Sequence, residues 1–193
     1  MALLKIARMG HPVLRQAADI VRDPEAPEVQ RLIANMIETM QDAEGVGLAA
    51  PQVYEPRRIV IFRIPGWRQT AEERRGETAG EGEGGGVPLT VLINPQFEPL
   101  DPRQEDDWEG CLSIPGLTGR VPRYRHIRYW GLRPDGRMMC REAKGFHARV
   151  VQHELDHLDG VLYPERMTDL ATFAFSSELK RGWDRAGGES QAA

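Results

Sequence analysis

The sequence is poor in cysteine: two, Cys111 and Cys140, in 193 residues. Two thiols are too few for a disulfide scaffold, and a reducing compartment is the default. Long apolar runs are missing as well; none approaches membrane-spanning length. The stretch from Met1 to Gly10 carries Lys5 and Arg8 but lacks the apolar segment of a signal peptide. No charge sign dominates: 25 Lys and Arg oppose 29 Asp and Glu, a net charge of -4, so nothing global favours a polyanionic partner. The basic run Arg120, Arg123, Arg125 and Arg128 is local and reads as the solvent face of a strand rather than a nucleic-acid patch. The expectation is a soluble cytoplasmic monomer without direct nucleic-acid or membrane binding.

What is present suits one domain with one core. Val29, Leu32, Ile33, Met36, Ile37 and Met40 recur at helical spacing behind Pro27, predicting a helix over about 27–42 with one buried stripe. Arg58 to Ile64 and Leu89 to Ile93 read as strands, the second stopped by Asn94-Pro95. Between them about 66–88 is rich in Gly, Glu and Arg and reads as a surface insertion, with a functional lid as the alternative. Further strands are expected within 103–109, 120–131 and 137–143, the last two joined at Pro134-Asp135-Gly136. A second helix follows Gly145 and ends at Gly160. On it His147, Val151, Leu155 and Leu158 share one face and Val150, His153, Glu154 and His157 the other, so it should cross the middle of the domain. The class is α+β, with antiparallel or mixed sheets around this helix. One catalytic domain spans 1–185, and 186–193 reads as a disordered tail.

Residues 153–157 read His-Glu-Leu-Asp-His. One helical turn apart, His153 and His157 present two imidazoles to one metal ion, and Glu154 projects beside them as a base for water. The pattern also arises by accident in surface helices, but here the flanks are apolar, and a buried His pair needs a reason. A catalytic site needs a third ligand and an open position. Tyr163 stands where the extended metzincin pattern has its third histidine, and Glu165 and Glu178 sit in no recognisable helical motif. Upstream, Cys111 follows Glu109-Gly110 at a strand end; a buried inert thiol is its plainer reading.

Three segments then agree. Gly45-Val46-Gly47-Leu48-Ala49-Ala50-Pro51-Gln52, Glu109-Gly110-Cys111-Leu112-Ser113 and Gln152-His153-Glu154-Leu155-Asp156-His157 resemble, in order, the three motifs of the peptide deformylases. Gly10-His11-Pro12-Val13-Leu14-Arg15 extends the likeness over most of 5–170, and the spacing of Pro115 to Arg123 looks closer to the type I and organellar branch. The resemblance implies an iron(II) or zinc ion on Cys111, His153 and His157, with iron(II) the cellular ion and zinc, nickel or cobalt able to substitute. It implies Glu154 as general base and then acid, with Gln52 and the Leu112 N–H steadying the oxyanion. It implies N-formylmethionyl nascent peptides as substrate and the ribosome exit region as partner. Gly45, Val46, Gly47, Glu109, Gly110 and Val150 are the substrate-binding candidates. Glycines let backbone approach a narrow formyl group, and an extended peptide suits an added strand there; Gly45 alone reads better as a turn. Val46 and Val150 are the candidates for the methionine pocket. One departure stands out: Thr118 occupies a position where many members carry arginine, and Arg120 lies two further on. The rival readings are a zinc endopeptidase with a downstream third ligand and a peptide-binding protein with a relic site.

Overall fold

The computed structural model describes residues 2–68 and 86–185. Helix α1 (Pro27–Asp42) is followed by strands β1 (Gly47–Ala49), β2 (Ile59–Ile64), β3 (Val87–Pro99), β4 (Gln104–Cys111), β5 (Ile114–Tyr124), β6 (His126–Leu132) and β7 (Met138–Lys144). Helix α2 (Gly145–Leu158), the two-residue strand β8 (Ala174–Phe175) and helix α3 (Ser176–Arg185) complete the described chain. Five strands form one antiparallel sheet in the order β1-β2-β3-β6-β7, and β4-β5-β8 form a second. The α+β architecture with the motif helix inside is the one the sequence implies.

Strand β2 shows why its sequence alternates so little. Ile59 and Ile61 face the cluster built on Val29, Leu32, Ile33, Met36 and Met40 of α1. Val60, Phe62 and Ile64 face the opposite cluster, with Val151, Leu155 and Leu158 of α2. Both faces of the strand are covered over Ile59–Phe62, so the only polar residue, Arg63, comes near its end where the strand is exposed. Each such fully buried side chain contributes about 1.5–3 kcal/mol. Apart from its first turn and His153, helix α2 is buried all round, which places it across the middle of the domain. A third cluster, with Leu14, Ile114, Val121, Leu162 and Tyr163, seats the second sheet.

Several expectations need correction. The strand expected to stop at Ile93 runs on to Pro99. Asn94 takes a left-handed backbone (φ 53°), and its side-chain amide accepts from Val21 N–H at 2.9 Å and donates to Val21 C=O at 2.8 Å. The register shifts between Ile93 and Gln96, so Pro95 sits in a bulge where its missing N–H costs no ladder bond. The stretch 120–131, within which strand was expected, is divided at Arg125 between β5 and β6, which lie in different sheets. At the margins of the expected insertion, Val87 and Pro88 open β3 and Gly66–Arg68 form a 3-10 turn; the rest of it, residues 69–85, lies outside the described residues. The expected tail, 186–193, also lies outside them, and the helix before it, α3, was not foreseen. Arg123 leaves the solvent face assigned to the basic run: it is 6% exposed.

Candidate metal centre and active site

Two elements deliver the centre. Helix α2 points His153 and His157 the same way, their ring centroids 5.0 Å apart. Strand β4 ends at Cys111, whose Sγ lies 3.3 Å from His157 Nε2. The ligand atoms of Cys111, His153 and His157 all lie within 4.8 Å of one another. In a tetrahedral site with thiolate and imidazole ligands, ligand atoms sit roughly 3.3–3.6 Å apart, so this set needs only a small contraction to hold an ion. Glu165, one of the downstream alternatives for the third ligand, accepts instead from Leu162 N–H and pairs with Arg15.

A buried ionic chain fixes the imidazoles. His153 Nδ1 donates to Glu109 Oε2 at 2.8 Å, which turns its other ring nitrogen to the thiol. The remaining lone pairs of Glu109 take Arg123 Nε at 2.8 Å, Arg123 Nη2 at 3.0 Å and Arg149 Nη1 at 2.8 Å. Arg123 also donates to Asp156 at 2.6 Å, and Asp156 accepts from Arg166 at 2.9 Å. Signs thus alternate from Arg149 through Glu109, Arg123 and Asp156 to Arg166. Buried charges persist only when paired in this way.

The titrating groups respond accordingly. Burial would raise the Glu109 carboxyl, but the hydrogen bonds from His153 and Arg123 win and hold it well below the usual carboxylate range. Burial likewise works to raise the Cys111 thiol, yet the charges and hydrogen bonds of His157 and His153 hold it well below its ordinary value. His153 moves the other way: desolvation disfavours its charge, and Cys111 and Glu109 outweigh that and raise it well above the ordinary imidazole value. Both shifts favour a thiolate beside a protonated imidazole, and a divalent ion bound to these ligands displaces such protons. Two further donors face the sulfur, Ser113 N–H at 3.4 Å and Gln52 Nε2 at 3.5 Å. The chemistry of the donor set therefore fits a transition-metal ion.

Glu154 stands beside this centre, 4% exposed. Burial pushes its carboxyl up to about 7, the range of a working acid–base group. Its Oε2 is buried without a hydrogen-bond partner, which leaves it available to a water or a substrate. Gln52, in the 3-10 turn Ala50–Val53, has its amide orientation set by Ala49 N–H, which donates to Oε1 at 2.8 Å. Its Nε2 then points to Ser113 Oγ at 3.2 Å and to the sulfur.

A cavity of about 520 Å³ opens over these groups, a size suited to a small ligand. Gly45, Val46, Gly47, Gln52, Glu109, Gly110, Cys111, Leu112, Val150, His153 and Glu154 all line it, and His157 lies just beneath among the ligand atoms. Gly47 has no room for a side chain, since an added Cβ would stand 2.2 Å from Glu154 Oε1. Glu109 lines the cavity, but its carboxylate is spent on Arg123, Arg149 and His153. The sequence reading missed Arg68, Phe146 and Arg149 in the lining. For Arg149 a signal existed: it lies four residues before His153, on the same helical face.

An α+β fold whose buried central helix brings two histidines to a strand-end cysteine, beside a carboxyl tuned near neutrality, defines a metal-dependent hydrolase. A family model described as polypeptide deformylase matches residues 3–173. The chain belongs to the polypeptide deformylase family, and it removes the N-formyl group from newly synthesised polypeptides. Peptide deformylase 1 of Bordetella pertussis is 50% identical over 174 residues, 90% of this chain and 93% of that protein. Peptide deformylase 1 of Xanthomonas campestris is 47% identical, covering 91% and 96%. Among solved structures, the peptide deformylase of Thermotoga maritima superposes with a TM-score of 0.72 at 33% identity, over 88% of this chain and all of that one.

Proposed function

We propose that Cys111, His153 and His157 hold iron(II) in the cell, with zinc, nickel or cobalt able to replace it, and that Glu154 is the proton carrier of the reaction. The convergence of these three ligand atoms beside the buried Glu154 carboxyl, whose Oε2 has no hydrogen-bond partner, carries the reading. A thiolate with two imidazoles suits iron(II) or zinc, and affinity order alone favours zinc on purification. When bound, the ion supplies Lewis acidity that polarises the formyl oxygen and acidifies a water.

The chain's own residues do the rest. Glu154 takes one proton from the attacking water, whose oxygen adds to the formyl carbon. Gln52 Nε2 and the Leu112 N–H donate to the oxygen on which negative charge develops. Glu154 then delivers its proton to the methionine nitrogen as the C–N bond breaks, leaving formate and a free amine. The peptide lies along Gly45 to Gly47, on the edge of β1 not paired with β2. Val46 and Val150 line the methionine side-chain pocket, and Gly110 lets the peptide backbone approach from the other wall. Glu109 acts through His153, whose ring it orients. The protein works as a cytoplasmic monomer beside the ribosome exit, where formylated N-termini emerge; no helix among the described residues is long and apolar enough to cross a membrane.

The test is formate release from formyl-Met-Ala-Ser against cleavage of an unblocked peptide. Formate release without peptide cleavage, lost in Cys111→Ser, is the expected result. Peptide cleavage that survives Cys111→Ser would favour the endopeptidase reading instead.

A further inference from the structure

Two guanidiniums line the cavity, and their circumstances differ. Arg149 is fully engaged: besides Glu109 it donates to the carbonyls of Glu105, Asp107 and Val121 at 2.7–3.3 Å. Arg68 is not. Its Nε is cut off from solvent with no hydrogen-bond partner, and among the described residues no carboxylate pairs with it. Instead its guanidinium carbon lies 4.7 Å from the Trp67 ring centroid and 5.5 Å from that of Phe146. Rings against a guanidinium occupy its flat faces and hold it by cation–π attraction. Its two terminal Nη groups lie in the plane and stay available at the end, in a fork geometry that matches a carboxylate.

The position relative to the centre is set by α2. Phe146 lies seven residues before His153 on that helix, about 10 Å along its axis. An extended chain covers that distance in about three residues. Strand β2 gives the same direction. Gly47 pairs with Phe62, and Arg63 N–H donates to Val46 C=O at 2.8 Å, so the chain running on to Arg68 follows Val46 and Gly45 away from Glu154. A peptide whose formyl group sits at Glu154 therefore passes Arg68 with the residues that follow its methionine.

We propose that Arg68 is a specificity-determining residue, favouring formylated peptides with an acidic side chain at the first or second position after the methionine. The proposal rests on the deformylase reading of the site and adds a substrate class to it. Because the pair forms at a half-buried rim, the expected gain is roughly three- to fivefold. It falls on KM rather than kcat, since the contact is remote from the reacting bond.

The experiment compares kcat and KM of the metal-loaded enzyme on formyl-Met-Ala-Ser, formyl-Met-Asp-Ser, formyl-Met-Ala-Asp and formyl-Met-Lys-Ser. One acidic peptide should exceed the neutral one in kcat/KM by the stated factor, with the lysine peptide lowest. The advantage should fade at about 0.5 M salt, vanish in Arg68→Gln and survive in part in Arg68→Lys. The ratio between peptides within one enzyme is the readout, so a general loss of activity in a variant does not imitate the effect. If Arg68→Gln does not fold, the salt dependence and the Arg68→Lys ratio decide. Equal kcat/KM for acidic, neutral and basic peptides, or an acidic preference that persists in Arg68→Gln, would overturn the assignment. Failure to release formate from any of the four would overturn the deformylase reading itself, a distinguishable result.

Discussion

Replacing Gly47 with alanine probes the centre without touching a charged group. The new methyl carbon would start 2.2 Å from Glu154 Oε1, 2.7 Å from Cδ and 3.0 Å from Cγ. Ordinary contact begins near 3.4 Å, so the carboxylate has to retreat by about 1 Å. It has little space to do so, being 4% exposed on a helix buried nearly all round. Misplacing a reacting group by about 1 Å costs on the order of 10²-fold in rate, and that is the expected fall in kcat. Overpacking of this kind typically costs about 2 kcal/mol, or roughly 4–8 °C in Tm for a chain of this size. The assay is steady-state formate release from formyl-Met-Ala-Ser, beside bound-metal analysis and a thermal melt. Metal content should stay at the wild-type level, since the ligands are not displaced. A variant with unchanged Tm and kcat within about twofold of wild type would refute the close approach of Gly47 to Glu154.

Glu154→Gln should keep its metal and lose about 10²–10⁴-fold in kcat, measured by formate release; near-full turnover with metal bound would remove Glu154 from the mechanism. The same variant has a pH signature in metal-stripped protein. A carboxyl raised to about 7 from its ordinary 4.5 costs nothing below pH 4.5 and destabilises the fold increasingly up to pH 7, so Glu154→Gln should gain on wild type across that window, by up to about 3 kcal/mol. Denaturant titrations at pH 4.5 and pH 8 check it, and an equal difference at both would contradict it. Cys111→Ser should lose metal and activity together, because a neutral hydroxyl replaces a thiolate poorly, whereas the exposed Cys140 should be replaceable by serine without loss of either. Thr118→Arg should lower KM, because Thr118 lines the cavity. Arg120→Ala should leave KM nearly unchanged, because Arg120 is held on Asp106, whose carboxylate lies 3.3 Å away and whose C=O accepts from it at 2.9 Å; a raised KM in Arg120→Ala would place that arginine on the substrate.

Helix α1 and the His153–His157 helix were legible because one residue pattern decides each: an apolar stripe behind a proline, and two ligands one turn apart with apolar flanks. Cys111 was legible only as one open choice from its own surroundings, and the family resemblance resolved it. What escaped the sequence depends on contacts between distant segments. Asn94-Pro95 is a stop signal by local rules, yet β3 continues because Val21, 73 positions away, satisfies the Asn94 amide. Arg123 reads as one more basic residue on a strand until Glu109 and Asp156 arrive around it. The spacing of Arg149 from His153 placed it on the site face, but its partners, 28 to 44 positions off, were not legible. Helix α3 lacks the apolar stripe that identified α1 in the sequence.

The alternating charges beneath the metal centre constrain how this gene can drift. Arg149, Glu109, Arg123, Asp156 and Arg166 satisfy one another, and all but Arg166 are buried. Losing Glu109 by a point mutation leaves the buried Arg149 without a counter-charge and Arg123 with only Asp156, at about 3–5 kcal/mol. That is a large part of the 5–15 kcal/mol by which a domain is stable at all. Stepwise replacement of Glu109 must therefore pass through a badly folded ancestor unless its arginines change with it, and these codons are held together. The exposed pairs of Arg128 with Glu98 and Glu142 contribute under about 1 kcal/mol each and are free to change one at a time.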